Sequence, residues 1–240
     1  INGRIVTING IAKGSGMIAP NMCTMLSYIF TDARLPSKLL QGMLTAANKK
    51  SFNAITVDSD TSTSDTVIAF ATGTVPLGFD PISLRDPRLI GFRAALDSLM
   101  VDLAQQIVRD GEGASKFVTI SVRGAASSEA ARGIAFSIAN SPLVKTAIAG
   151  SDPNWGRIVM AIGKAAQQIN HDELAVRIGR FPITEGGGVR AEYDESPVAE
   201  YMKGAEIDID VDVGVGRGRA TVWTCDLTHR YIAINADYRS

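Results

Sequence analysis

Thr24 stands where a hydroxyl could become a nucleophile without help from a histidine. It opens an apolar, aromatic stretch, residues 24–31 (TMLSYIFT), directly after a loop shaped by Gly14, Gly16 and Pro20. If the chain is cut before Thr24, its hydroxyl and its own α-amine become neighbours. An α-amine with an unperturbed pKa of about 8 is a competent base near neutral pH. Chemistry taken alone favours the plainer reading, since β-branched residues are common at strand starts. Glu112 lies between Gly111 and Gly113 in DGEGASK, residues 110–116. Glycines there let backbone approach a ligand, and a carboxylate so framed could hold a substrate ammonium. The competing reading is a helix C-terminus capped by Gly111. SDPNWGR, residues 151–157, is either a ligand loop or a packed corner before a helix.

Other constellations carry less. Asp58, Asp60 and Asp65 begin like a calcium loop, but Thr63 replaces the needed glycine and Ala69 the closing glutamate. A hydrogen-bonded turn fits better. Gly214, Gly216 and Gly218 lie between two strands with no helix after them, so a hairpin turn suits them better than a dinucleotide loop. Asp208, Asp210 and Asp212 share one strand face, read as a solvated row opposite Arg217 and Arg219. His171 and His229 have no partners at ligand spacing, so no metal site is expected, and neither builds a Ser/His/Asp triad.

The elements that must position these residues follow from periodicity. Strands are expected at residues 4–8, 24–31, 54–58, 66–71, 116–123, 206–213, 219–224 and 231–236. Residues 206–213 (EIDIDVDV) alternate strictly, and with 219–224 they are expected to pair as a hairpin across the glycine turn. Helices are expected at 37–50, at 128–140 after a serine start signal, and at 157–168. A long helix should run to Arg109, opened by Asp86 or Asp97. Helices and strand groups segregate rather than alternate regularly. That favours an α+β fold of layered sheets and helices over a doubly wound sheet.

Composition is that of an ordinary globular chain: 240 residues, 45% hydrophobic, 20% charged, formal net charge -1. No basic footprint argues for nucleic acid or an anionic membrane, and no apolar run is long enough for a membrane span. Two cysteines, Cys23 and Cys225, make no disulfide framework, which suits a reducing compartment such as the cytoplasm. The first residue is Ile1 rather than Met, which reads as a fragment or a cleaved product.

Six ordered motifs together carry a specific likeness. They are GIAKGSGMIAPNMCTML from Gly10, FTDA from Phe30, FNAITVDSDTSTSD from Phe52, DGEGASK from Asp110, SDPNWGRI from Ser151 and INADYRS at the C-terminus. Over essentially the whole chain the sequence resembles the ornithine acetyltransferase family, also called glutamate N-acetyltransferase. The resemblance implies an α+β fold of the N-terminal-nucleophile aminopeptidase-like type. It implies autocleavage between Cys23 and Thr24, so that residues 1–23 end a pre-cleavage (alpha) segment and residues 24–240 form the catalytic (beta) segment. A smaller C-terminal subdomain from about residue 170 is a further expectation. Thr24 would be the acyl-accepting nucleophile, and Lys13, Thr24, Glu112, Asn235 and Ser240 would bind substrate. Cys23 stands where the family often has alanine, and Ser240 where threonine is common; both changes keep the needed size or hydroxyl.

The implied reaction moves acetyl from N-acetylornithine to glutamate through an acetyl-threonine ester, a step in arginine biosynthesis. Thr24 attacks the acetyl carbonyl, its α-amine takes the proton, and the amine of glutamate then attacks the ester. Lys13 suits a substrate carboxylate and Glu112 an ornithine ammonium. No cofactor is implied, with acetyl-CoA an open second donor. The implied partner is the missing N-terminal segment, in a hetero-oligomer of alpha and beta chains. The competing enzyme is an N-terminal-nucleophile aminopeptidase or amidase, separable by transfer rather than hydrolysis. A non-catalytic assembly subunit is the competing class.

Overall fold

The computed structural model describes residues 1, 3–20 and 24–237, so Cys23 and Ser240 lie outside the described residues. The chain divides into two compact units, Ile1–Ile55 with Asp60–Ile107, and Thr56–Ser59 with Val108–Ser240. The expected cleavage point falls inside the first unit. The architecture is α+β, as the segregation of strand groups and helices predicts.

The first unit is built on a three-stranded sheet, β1 (Ile8–Lys13), β2 (Leu26–Ala33) and β3 (Thr66–Val75), in the order β1-β2-β3. β1 and β2 are antiparallel, β2 and β3 parallel. Period two decides the faces of β2: Ser27, Ile29, Thr31 and Ala33 are buried. The opposite face is open and apolar, with Ile11, Phe30, Ile68 and Phe70 exposed and the Phe30 and Phe70 rings stacked 5.2 Å apart. The parallel pairing needs a crossover, which α1 (Ser37–Lys50) supplies. Its bounds coincide with the expected ones, because Leu40, Met43, Leu44 and Ala47 form one buried stripe. Asp86 opens the next helical run, accepting from the Arg88 N–H at 3.0 Å. A short 3-10 turn, Pro87–Leu89, leads straight into α2 (Ile90–Arg109). Asp97 lies within that helix.

The second unit holds a six-stranded sheet. Its strands are β4 (Phe117–Ala125), β5 (Ala175–Ile178), β6 (Phe181–Glu185), β7 (Gly188–Val189), β8 (Glu206–Asp212) and β9 (Gly218–Cys225). They lie in the order β7-β6-β5-β8-β4-β9, so the chain from about residue 170 shares one sheet with β4. One face is covered by α3 (Ser128–Ala139), α4 (Pro142–Ala149), α5 (Trp155–Lys164) and α6 (Glu195–Met202), and the core lies between. Val118, Ile120, Val122, Ile207, Ile209 and Val211 face these helices from the two central strands. Each fully buried Ile contributes about 1.5–3 kcal/mol. Ser127 and Ser141 cap α3 and α4 through their hydroxyls.

Several expectations are corrected. β8 and β9 are not a hairpin: β4 lies between them, parallel to β8 and antiparallel to β9. The glycine-rich loop wraps the end of β4, where the N–H groups of Val215 and Gly216 both donate to the Gly124 carbonyl. Alternation reports which face a residue occupies and says nothing about its neighbour strand. Residues 231–236 form no strand but lie in α7 (His229–Asp237). Thr228 nucleates that turn, accepting from Arg230 N at its hydroxyl and from Tyr231 N at its carbonyl. In place of a strand at 54–58 there is a 3-10 turn, Phe52–Ala54. The first strand is Ile8–Lys13 rather than 4–8, and the second starts at Leu26, two residues after Thr24. α5 stops at Lys164, and α4 has no counterpart among the expected helices. The aspartate row of β8 pairs with Arg177 and Arg123, not with Arg217 and Arg219.

Candidate active site

Thr24 sits in the loop that closes the head of β2. Its N–H donates to the Met17 carbonyl at 2.8 Å. Its hydroxyl is buried and finds no hydrogen-bond partner among the described residues. The chain before it is shaped for close approach. Gly14 has φ +152, and a Cβ there would stand 3.1 Å from the Thr24 carbonyl oxygen. Met17 takes a left-handed φ of 51, unusual for a side chain of its size. Ile18 and Met25, at 0% and 1% exposure, seal the loop from below. Met25 also accepts from the Thr66 N–H of β3 at 3.0 Å, so the segment after Thr24 is tied to the sheet. Lys13 is the last residue of β1, directly before Gly14, and is exposed. The first unit thus brings Lys13 and Thr24 to one loop system.

A buried hydroxyl without a partner costs on the order of 1–3 kcal/mol, so such groups call for an explanation.

In the second unit, α2 ends and the DGEGASK turn follows. Glu112 is half-buried, and its carboxylate accepts from the Asn235 side chain of α7 at 2.9 Å. That amide also donates to the Tyr231 carbonyl at 3.1 Å. The two expected substrate residues are therefore brought together. Gly113 must be glycine: its φ is +70, and a Cβ would meet the Tyr231 nitrogen at 2.4 Å. The Thr228 hydroxyl donates to the Gly113 carbonyl at 2.7 Å, fastening the turn to the start of α7. The Tyr231 hydroxyl reaches Asp58 at 3.3 Å. That contact ties the DSD segment to α7.

Beneath this turn lies a polar network that sequence reasoning passed over. Asp226, 3% exposed, accepts from Ser115 N at 2.8 Å, from Lys116 N at 3.0 Å and from the Ser115 hydroxyl. The Lys116 ammonium donates to the carbonyls of Ile148 and Met202 at 2.8 Å and 2.6 Å, and to the Ser151 hydroxyl. Burial pushes its pKa down while Asp226 pulls it up. SDPNWGR is accordingly a packed corner between α4 and α5, with Ser151 at φ 56. Lys145, 4% exposed, donates to the Thr224 hydroxyl at 2.9 Å and to the Cys225 carbonyl. The one legible hint was a lysine inside the mostly apolar run PLVKTAIA. Asp226 carried no hint, since its partners lie more than a hundred residues away in the chain.

Among the described residues no group of histidine, cysteine or carboxylates could hold a metal ion. No helix among them is long and apolar enough to cross a membrane.

Known proteins bear on this geometry. A bifunctional arginine biosynthesis protein ArgJ of Zymomonas mobilis is 61% identical over 242 residues, covering 100% of this chain and 58% of that protein. Its namesake from Gluconobacter oxydans is 57% identical over 242 residues, covering 100% of this chain and 56% of that protein. The chain thus spans a little over half the length of these relatives. The crystal structure of an arginine biosynthesis bifunctional protein argJ from Bacillus halodurans superposes with a TM-score of 0.83 at 39% identity, covering 88% of this chain and 98% of that one. A sequence model described as the ArgJ family matches residues 1–240, and the chain belongs to that family.

Proposed function

We propose that Thr24, released as a chain terminus by cleavage after Cys23, accepts an acetyl group from N-acetylornithine and passes it to glutamate. The observation that carries this reading is the buried, unpartnered Thr24 hydroxyl at the head of β2, behind a glycine-shaped loop. Once the Cys23–Thr24 amide is broken, the new α-amine lies two bonds from the carbon bearing that hydroxyl. It takes the hydroxyl proton as Oγ1 attacks the acetyl carbonyl, and ornithine leaves with its amine restored. The amine of glutamate then attacks the acetyl-threonine ester and frees Oγ1. Lys13, exposed beside the loop, is the charge for a substrate carboxylate. Glu112, kept in one orientation by Asn235, is the acceptor for an ammonium. Ser240 supplies a hydroxyl to the same substrate.

The remaining roles follow from this reading. The segment before the cut stays with residues 24–240 as an alpha chain beside a beta chain, in a hetero-oligomer. The relatives' names include the word bifunctional, and acetyl-CoA is the second acetyl donor to assay. No bound cofactor is required, and the reaction is assigned to the cytoplasm.

The test weighs the chain that begins at Thr24 after incubation with N-acetylornithine alone. One added acetyl group is expected, and it should vanish when glutamate follows. Rapid loss of the acetyl group to water, with no acetylglutamate formed, would instead show an amidase. An active protein whose chain stays uncut would end the proposal.

A further inference from the structure

Two nucleophiles that the proposed reaction does not use lie against each other at the C-terminal end of β9. The Lys145 ammonium nitrogen is 3.9 Å from the Cys225 sulfur. Both side chains are removed from water, at 4% and 1% exposure. Lys145 comes from α4 and Cys225 closes β9, so the pair joins a helix to the edge of the sheet beneath it. The lysine's other partners are neutral oxygens, the Thr224 hydroxyl and the Cys225 carbonyl. The charged groups felt by both residues are Asp58 and Asp226. Asp226 is occupied by Ser115 and Lys116, and Asp58 by Tyr231.

We propose that Lys145 and Cys225 are a redox modification site, at which a single oxygen atom is inserted between the lysine nitrogen and the cysteine sulfur. The step uses dioxygen as oxidant. Amine and thiol lose one hydrogen each, N–O and O–S bonds form, and the second oxygen atom leaves as water with those two hydrogens. Two equivalents of a dithiol reductant, each oxidised to a disulfide, supply the four electrons and four hydrogens that return the amine, the thiol and a second water. Burial supports the chemistry, because it lowers the lysine pKa and raises that of the cysteine. A neutral amine and an intact thiol are the species such an insertion needs. Burial also protects the product from further oxidation along the usual thiol ladder.

The site has a route to the turn that carries Glu112. The Cys225 sulfur lies 3.3 Å from where a Cβ on Gly111 would stand, one residue before Glu112. Linking the sulfur to α4 therefore stiffens the support directly behind that turn.

Intact mass spectrometry with peptide mapping tests this on the whole protein, purified either in air or under argon with a reductant. The aerobic protein is expected to show a species with one oxygen gained and two hydrogens lost, mapping to joined peptides that contain Lys145 and Cys225. In that species Cys225 should resist alkylation after denaturation while Cys23 reacts. A dithiol should restore full alkylation, which separates the link from methylation. Cys225→Ser and Lys145→Arg should each abolish it. Should either variant fail to fold, the alkylation pattern of the unmutated protein still decides. Complete alkylation of Cys225 in aerobic protein overturns the proposal. So does a gain of oxygen without loss of hydrogen, a sulfenic acid. Loss of hydrogen without oxygen, a disulfide to Cys23, does the same.

Discussion

The Thr24 hydroxyl has two separable duties in the proposed chemistry, and substitutions should pull them apart. Thr24→Ala leaves no oxygen for either step, so an uncut chain without transfer activity is expected on a denaturing gel and in a coupled assay. Thr24→Ser keeps the oxygen but loses the methyl that restrains χ1. It should still cut, more slowly, and keep part of the activity. An active Thr24→Ala protein would return the residue to the role of an ordinary loop threonine. Glu112 is open to a cleaner test, because its neighbour Asn235 can hydrogen-bond to an amide as well as to a carboxylate. Glu112→Gln should fold and self-cleave normally yet lose one charge-assisted contact, about 1.5–3 kcal/mol. That appears as a roughly 10- to 100-fold loss of kcat/KM for N-acetylornithine. Unchanged steady-state constants would remove Glu112 from the site. These residue types were legible in the sequence because their chemistry is local. The buried, partnerless state of the Thr24 hydroxyl was not.

At the scale of elements, the turn between α2 and β4 depends on one backbone conformation. Gly113→Ala places a methyl group 2.4 Å from the Tyr231 nitrogen in a residue with φ +70. The left-handed conformation alone costs about 1–2 kcal/mol, and the clash adds to it by displacing the start of α7. A control is available at Gly133 in α3, where a new Cβ meets nothing closer than 3.6 Å. Gly133→Ala should stabilise by about 0.5–1 kcal/mol through helix propensity. Chemical denaturation of both variants checks the pair, and equal shifts would refute the conformational argument. Periodicity was a good guide where one element buries one face, and α1 came out with its expected bounds for that reason. It failed for α7, whose YIAINA pattern alternates like a strand although none of its residues is buried. Alternation there reflects composition rather than a half-buried surface.

For the molecule as a whole, Lys145 makes stability depend on pH in a defined direction. Its pKa is lowered by burial from the ordinary 10.5, so between its folded value and 10.5 the unfolded chain binds more protons. Stability from this group therefore rises with pH through that window and falls as pH drops towards the folded value. The slope for one proton is at most about 1.4 kcal/mol per pH unit. Cys225 acts in the opposite sense above its ordinary 9.0, since its thiol is held protonated in the fold. Measurements under reducing conditions below pH 9.0 isolate the lysine. Lys145→Met should flatten the rise in urea midpoint with pH relative to the unmodified protein. Parallel curves would show that Lys145 remains charged when buried.

By itself the sequence determined the family, through six ordered motifs, and with it Thr24, Lys13, Glu112 and Asn235 as candidate residues. It also determined the layered α+β class, because face periodicity and helix stripes are properties of short windows. Tertiary structure alone decided the strand order, since β4 enters between β8 and β9 from about eighty residues upstream. Only the fold could show that Asp226 clamps the DGEGASK turn and that Asn235 meets Glu112. Those contacts join segments more than a hundred residues apart. Long-range pairing depends on which surfaces bury each other, and no local pattern of residue types encodes that choice.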